Sequence, residues 1–274
     1  MQTTSLVRLA AIALCGVSLA AQSPEERAAA RALMARRGDA IVTLLGTMKT
    51  RMAMNGREMS ASEARLQTNA TVLDSHGLAV VSLTAIEPDN LFGGLFAQEA
   101  EASGAPPMKV ETKSETTDLR LRFADGKEVP VKIVLRDTDL DLAFVKPIEP
   151  LAAPVAWVDG PSAKPGTLDL LVGLERLGEM AGWKLGATFS YVVAVIDKPR
   201  TAYLGGTGLG GAVFDTAGQF VGIGVISTKN RGATSSMSFT SAMSGMSGLD
   251  SMGMLPIVMP ADDIREIAKQ AIGK

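Results

Sequence analysis

The sequence predicts an all-β, Greek-key-like protein with one helix near each end. Short runs rich in β-branched and aromatic residues follow one another along most of the 274 residues. Turn signals built on Asp, Gly and Pro separate these runs. This spacing of strands and turns is typical of antiparallel sandwiches and barrels. The two helices are predicted from a capping box near the start and from an amphipathic stretch at the end.

Residues 1–20 have the three parts of a secretory signal peptide. Arg8 supplies a positive charge, residues 9–17 form an apolar run, and Ser18-Leu19-Ala20 resembles a cleavage site. The run is shorter than the roughly 18 residues of a membrane span. We therefore predict a secreted or periplasmic protein, cleaved near Ala20, that meets the membrane only through this signal. Cys15 leaves a lipid anchor open, although Leu14 stands where that signal requires a small residue.

Composition excludes several classes of function. The formal net charge is -2, so the chain has no basic footprint for nucleic acid, and aromatic residues make up only 4%. The single cysteine lies in the predicted signal. The mature chain therefore has no disulfide, no zinc–thiolate site and no cysteine nucleophile. We predict no cofactor.

The elements follow in order after the signal. Ser23, Pro24 and Glu26 form the capping box of a surface helix that ends before Gly38. The predicted strands are 40–54, 66–73, 78–86, 119–123, 129–135, 167–173, 184–197, 212–214, 220–226 and 255–259. Residues 87–117 are predicted to be an inserted loop, and the Pro- and Ala-rich residues 147–165 to be a linker. A final helix runs to Ile272, with Ile264, Ile267, Ala268 and Ala271 on one face.

The most informative stretch is 204–227, which holds five glycines between Gly205 and Gly211. Gly206, Gly208 and Gly211 formally satisfy the dinucleotide-binding pattern G-x-G-x-x-G. That pattern requires a helix immediately afterwards, whose N-terminal amides bind the pyrophosphate. An apolar run, a turn and a second apolar run follow here instead, which indicates a hairpin and excludes dinucleotide binding.

The same stretch resembles the nucleophile loop of trypsin-like serine proteases, in particular the HtrA (DegP-like) branch. The family pattern is Gly-Asn-Ser-Gly-Gly-Pro-Leu, followed by a turn and a strand similar to Val-Ile-Gly-Ile. Residues 207–213 fall on this pattern, and FVGIGV follows after DTAGQ. Leu209 occupies the place of the serine. A leucine carries no nucleophilic atom, so the loop cannot attack a carbonyl.

A second resemblance to the HtrA branch lies at Asp141-Leu142-Ala143-Phe144-Val145-Lys146, where the family has Asp-Leu-Ala-Val-Leu-Lys. Asp141 falls on the catalytic aspartate, and counting from Gly77 places Thr84 on the catalytic histidine. The only histidine, His76, lies in the preceding turn, where we predict an exposed residue. Asp137, Asp139 and Asp141 also begin like a calcium loop, but the glycine and glutamate that such a loop requires are absent.

The resemblance implies two six-stranded antiparallel barrels with the site between them, here 39–150 and 151–274. The first is preceded by a helical segment, 21–38, and the second includes a Met-, Ser- and Gly-rich loop, 235–254, and the C-terminal helix. The triad positions would be Thr84, Asp141 and Leu209, which implies an inactive homologue, or pseudoprotease. Backbone groups would still bind an extended peptide or protein partner. The predicted oxyanion loop and peptide groove comprise Thr207, Gly208, Leu209, Gly210, Val225, Ile226 and Ser227.

Several alternatives remain at this point. Asp141 could accept hydrogen bonds from buried amides without any role in binding, and Leu209 could fill the space left by the lost triad. Ser82, two residues from Thr84, could belong to a displaced serine-type site. Methionine thioethers suit Cu(I), so an exported copper-binding protein is the alternative from another class; the candidate ligands are Met243, Met246, Met252 and Met254, with Met237 and Met259 in the same tract.

Overall fold

The computed structural model describes residues 23–54, 57–89, 110–205, 208–227 and 255–272. The helices in these ranges are α1 (Pro24–Arg37), α2 (Leu83–Ile86) and α3 (Ala261–Ile272). The strands are β1 (Ile41–Met54), β2 (Arg57–Val72), β3 (Ala79–Ser82), β4 (Val110–Arg122), β5 (Glu128–Asp137), β6 (Leu142–Pro147), β7 (Leu170–Arg176), β8 (Leu185–Tyr191), β9 (Ala194–Ile196), β10 (Ala202–Leu204), β11 (Ala212–Asp215), β12 (Phe220–Ser227) and β13 (Leu255–Pro260).

The first six strands close into an antiparallel barrel in the order β1-β2-β3-β6-β5-β4. Its interior is filled by apolar side chains that alternate along the strands, as the period of two requires. Val42, Leu44, Leu121, Ala143 and Val145 are each fully buried in this cluster. The barrel confirms the all-β, trypsin-like fold class predicted from the sequence.

The other strands form a second antiparallel sheet of seven strands in the order β8-β7-β11-β12-β13-β10-β9. The apolar run at 184–197, predicted as one strand, is divided into β8 and β9. At the break, the Val192 N–H donates to Asp169 O at 3.0 Å and the Val193 N–H donates to Leu204 O at 2.7 Å. The chain therefore changes its partner strand between these two residues, which accounts for the extra strand.

Three segments of the first barrel differ from the sequence prediction. Residues 83–86, predicted as the end of the strand 78–86, form the short helix α2. β2 begins at Arg57 rather than Leu66, and residues 57–65, all exposed, pair with β1. β4 begins at Val110, so residues 110–117 are a strand and not the end of a loop. Backbone pairing with β1 does not require apolar side chains, and these polar segments therefore gave no apolar alternation to detect. Residues 90–109 of the predicted loop lie outside the described residues.

The two terminal helices cover the second sheet. The capping box of α1 is present: the Glu26 N–H donates to Ser23 Oγ at 3.1 Å, and the Ser23 N–H donates to Glu26 Oε2 at 2.6 Å. Ala30 and Leu33 are the buried residues of α1, in agreement with a surface helix. α3 buries the predicted face at Ile264, Ile267, Ala268 and Ala271. None of the helices within the described ranges has the length and apolar character needed to span a membrane.

Arg176 ties the second sheet to the start of the barrel. It ends β7, and its guanidinium donates from Nε to Ile41 O at 2.9 Å and from Nη2 to Gly38 O at 2.8 Å. Its backbone N–H donates to Asn69 Oδ1 at 2.6 Å. These contacts join β7 to β1 and β2 and help to fix the cleft between the two sheets.

Candidate functional site

Asp141 lies at the contact between the two sheets, directly before β6. The register of β3 and β6 pairs Ser82 with Leu142, so Asp141 lies beside the start of α2, where the Leu83 N–H donates to Asp141 O at 2.9 Å. Asp137 turns the chain toward this position, because its Oδ1 accepts hydrogen bonds from the N–H groups of Asp139 and Leu140, both at 3.0 Å. Asp141 itself has a left-handed φ of 57°.

The carboxylate of Asp141 is buried and accepts three hydrogen bonds. Oδ2 accepts from Ser82 Oγ at 2.6 Å and from the Ile226 N–H at 3.0 Å, and Oδ1 accepts from the Thr84 N–H at 2.6 Å. The residue is only 6% exposed. Burial raises the pKa of this carboxyl, while the hydrogen bonds from Ile226, Ser82 and Thr84 act to lower it. Asp141 thus links β3 and α2 of the barrel to β12 of the second sheet.

Thr84 lies within this same group. It is the second residue of α2 and is half-buried; its backbone N–H donates to Asp141 Oδ1, and its side chain also interacts with this carboxyl and acts to lower the pKa of Asp141. A threonine hydroxyl is not a general base at neutral pH, so the side chain at this position cannot take a proton from a nucleophile. The structure therefore brings Thr84 and Asp141 together without placing a general base beside the aspartate.

The glycine-rich loop lies between β12 and β2. The Gly210 N–H donates to Gly224 O at 2.8 Å, and the Gly224 N–H donates to Gly211 O at 3.1 Å. On the opposite side, Thr71 Oγ1 donates to Gly210 O at 3.3 Å. Leu209 forms a parallel bridge with Gly224. The loop is therefore anchored to both sheets.

Leu209 is half-buried, between an exposed Gly208 and a buried Gly210. It belongs to none of the three clusters of buried apolar residues formed by the described part of the chain. Its side chain is therefore not part of these cores, and the hypothesis that it fills the space left by the triad stays a prediction. Thr207, the other predicted oxyanion residue, lies outside the described residues, so the oxyanion pair stays a prediction.

The predicted peptide groove at Val225, Ile226 and Ser227 is not at the edge of the sheet, since β12 lies between β11 and β13. β11, however, pairs only with the first part of β12, up to Ile223. Beyond Gly224 that side of β12 lies against the barrel, where the Ile226 N–H donates to Asp141 Oδ2. The short β11 thus leaves this end of β12 to contact the barrel, and of the three predicted groove residues only Ser227 is partly exposed, since Val225 and Ile226 are buried.

The direction of the Ile226 backbone follows from its partner on β13. Ile226 is opposite Pro256, and proline has no N–H, so this pair cannot exchange hydrogen bonds. The N–H and C=O groups of Ile226 therefore point away from β13. The N–H reaches Asp141 Oδ2 at 3.0 Å, and the carbonyl points to the same side of the strand.

The other predicted site residues lie elsewhere. His76 is exposed in its turn, where its N–H donates to Asp74 Oδ1 at 2.8 Å. Ser82 is fully buried and its hydroxyl donates to Asp141, so it is not an accessible nucleophile. Met259 is 4% exposed in the core on β13, and it is not part of a mobile thioether tract. The candidate copper ligands Met243, Met246, Met252 and Met254, with Met237, lie outside the described residues.

Sequence reasoning missed two partners of Asp141. Ser82 was considered only as a nucleophile, and the Ile226 N–H was not connected to Asp141 at all. The position of Ser82 at the end of an apolar strand, two residues before Thr84, was a usable signal, because short polar side chains at strand ends often bond to nearby groups. No signal in the sequence indicates that the N–H of Ile226, which is 85 residues further along the chain, donates to Asp141.

Comparison with known proteins confirms the fold. No protein-family model and no curated protein sequence matches the chain. Among solved structures it is similar to "HtrA-type protease AlgWS227A with tripeptide" (17% identity, TM-score 0.51), to the same protease "with decapeptide" (14%, 0.54) and to "HtrA-type protease AlgW with decapeptide" (16%, 0.51). Each match covers 89% of this chain, which spans 63% to 67% of those chains. At these identities the likeness carries the fold alone: this protein has the trypsin-like fold of HtrA-type proteases.

Proposed function

We propose that this chain is a catalytically inactive homologue of trypsin-like proteases that binds an extended peptide or protein segment between its two sheets. The observation that carries the proposal is the state of the triad positions. The nucleophile position holds Leu209, the base position holds Thr84, and the surviving Asp141 already accepts hydrogen bonds from Ser82, Thr84 and Ile226. Without a nucleophile and a base, no acyl-enzyme can form.

The backbone of β12 supports peptide binding in place of catalysis. Pro256, opposite Ile226, has no N–H to donate to the Ile226 carbonyl, and we infer that an extended peptide donates an N–H to it by adding a strand beside the end of β12. The half-buried Leu209, bridged to Gly224 of the same strand, offers an apolar contact. The solved HtrA-type proteases of the same fold contain a tripeptide or a decapeptide, which agrees with this use of the fold.

Peptide binding without cleavage is the first prediction. The mature protein is incubated with reduced, carboxymethylated casein, and mass spectrometry is used to search for new termini; none are expected. Peptides from a tryptic digest of the same casein are passed over the immobilised protein, and a retained peptide is labelled for fluorescence anisotropy. Leu209→Trp places a bulky ring in the cleft and is expected to weaken binding by about tenfold or more.

Met180→Trp is the matched control, because Met180 is fully exposed and is not one of the cleft residues. It should leave the affinity unchanged, and thermal melts should show that both variants are folded. Cleavage by the wild type that disappears in Leu209→Trp would mean that the cleft is an active site. Equal peptide affinity in wild type and Leu209→Trp would mean that the peptide binds elsewhere.

Export is part of the same proposal and gives a second prediction. The charge at Arg8, the apolar run and the small residues before Gln22 support a signal peptide. Expression of the full chain in a bacterium should give a periplasmic or secreted protein whose N-terminus begins near Ala21. N-terminal sequencing that finds Met1 on the cytoplasmic fraction alone would contradict export.

A further inference from the structure

A cavity of about 690 Å³ opens beside the turn that carries His76. Its walls come from β5, β6, the 147–154 segment and the last described residue of α3, Ile272. No residue of the cleft around Asp141 and Leu209 lines it. A ligand in this cavity would therefore not occupy the proposed peptide-binding site.

Two lysines face each other in one wall of the cavity. Lys132 on β5 and Lys146 on β6 are directly opposite in the strand register, and both line the cavity. Directly opposite residues share one face of the sheet, with Cβ atoms about 4.5–5.5 Å apart, and like charges in this arrangement are destabilising. The lysine pair does not by itself stabilise the sheet, and a group of opposite charge between the two ammonium groups would remove the repulsion.

The described part of the chain does not supply that partner. Neither lysine forms an ion pair with any described residue, although Asp74 and Glu149 also line the cavity. Asp74 is engaged in the turn, where its Oδ1 accepts hydrogen bonds from the N–H groups of His76 and Leu78. The two ammonium groups therefore remain available to a ligand.

Most of the remaining wall is apolar, next to Asp74, Ser75, His76 and Glu149. Ile148 and Ile272 are 56% and 57% exposed, and Leu151 and Pro154 line the same space. Exposed apolar side chains of this size beside a concave polar site are characteristic of ligand pockets. The cavity thus combines two lysines and two carboxylates, which form no ion pair with them, with an apolar surface.

We propose that this cavity binds a small amphipathic anion, whose carboxylate or phosphate group lies between Lys132 and Lys146 and whose apolar part contacts Ile148 and Ile272. One anion between the two ammonium groups replaces their repulsion with two charge-assisted hydrogen bonds. Lysine serves as a point charge for such groups and does not require a planar, bidentate partner. The chemistry of the head group is shared by carboxylates and phosphate monoesters.

The test uses isothermal titration calorimetry on the mature protein with octanoate, octyl phosphate and inorganic phosphate as probes. Octanoate or octyl phosphate is expected to bind, and whichever binds more tightly identifies the head group. Inorganic phosphate should bind more weakly than octyl phosphate, because it lacks the apolar part. Lys132→Gln and Lys146→Gln should each weaken binding by about tenfold, whereas Lys127→Gln, an exposed lysine in the β4–β5 turn, should not.

Thermal melts of the unliganded variants give a second readout. Removing either Lys132 or Lys146 relieves the repulsion, so the melting temperature is expected to stay the same or rise while binding is lost. A lower melting temperature in both variants would mean that the lysines stabilise the fold, and the proposal would fail. It would also fail if neither octyl probe binds, if inorganic phosphate binds as tightly as octyl phosphate, or if affinity is unchanged in both variants.

Discussion

Replacing Asp141 with alanine is expected to lower the free energy of unfolding by about 3–5 kcal/mol. The carboxylate is the acceptor for the buried Ser82 hydroxyl and for the N–H groups of Thr84 and Ile226. Its removal leaves these donors without a partner in a site that is 6% exposed. Urea unfolding followed by circular dichroism measures the loss.

Asp125→Ala is the matched control for this prediction. Asp125 is exposed in the β4–β5 turn, and its Oδ1 accepts one hydrogen bond, from the Lys127 N–H at 2.9 Å. Its replacement should change stability by no more than about 1 kcal/mol. Similar losses in the two variants would contradict the view that Asp141 holds the two sheets together.

The hydrogen bonds of Asp141 account for its place in the fold. Here Asp141 has three donors from the barrel and the second sheet, none of which is a base. These hydrogen bonds and the packing around them explain how a carboxylate is stabilised in this buried position.

The parts of the fold that the sequence predicted well are those in which side-chain chemistry and backbone position coincide. The capping box at Ser23 and Glu26, the buried face of α3 and the apolar strand β12 all have patterns that agree with the structure. The position of Asp141 before β6 belongs to the same class, because the strand after it is a continuous apolar run.

The parts that the sequence did not predict depend on partners that are distant along the chain. The polar residues 57–65 become a strand because β1 offers them hydrogen bonds, and the apolar run at 184–197 is broken because its second half pairs with β10. The contact between Asp141 and the Ile226 N–H is of the same kind. Local propensity carries no information about which backbone lies opposite.

Replacing Gly210 with alanine is expected to cost more than about 3 kcal/mol of stability. Gly210 has a φ of 72°, and a Cβ at this position would lie 2.3 Å from the backbone oxygen of Asn69 on β2. Backbone atoms on both sides are held, by the hydrogen bond from the Gly210 N–H to Gly224 O and by the one from Thr71 Oγ1 to Gly210 O. The loop must therefore move away from β2, which would also open the cleft beside Leu209.

Gly182→Ala separates the cost of the backbone conformation from the cost of the clash. Gly182 has a comparable φ of 63°, but nothing lies within 4 Å of the added Cβ. Its replacement should cost only about 1–2 kcal/mol, the usual penalty of a left-handed residue with a side chain. The difference between the two variants, measured by urea unfolding, gives the strength of the contact between the glycine-rich loop and the barrel. Equal losses would mean that this contact is loose and that the loop position does not depend on β2.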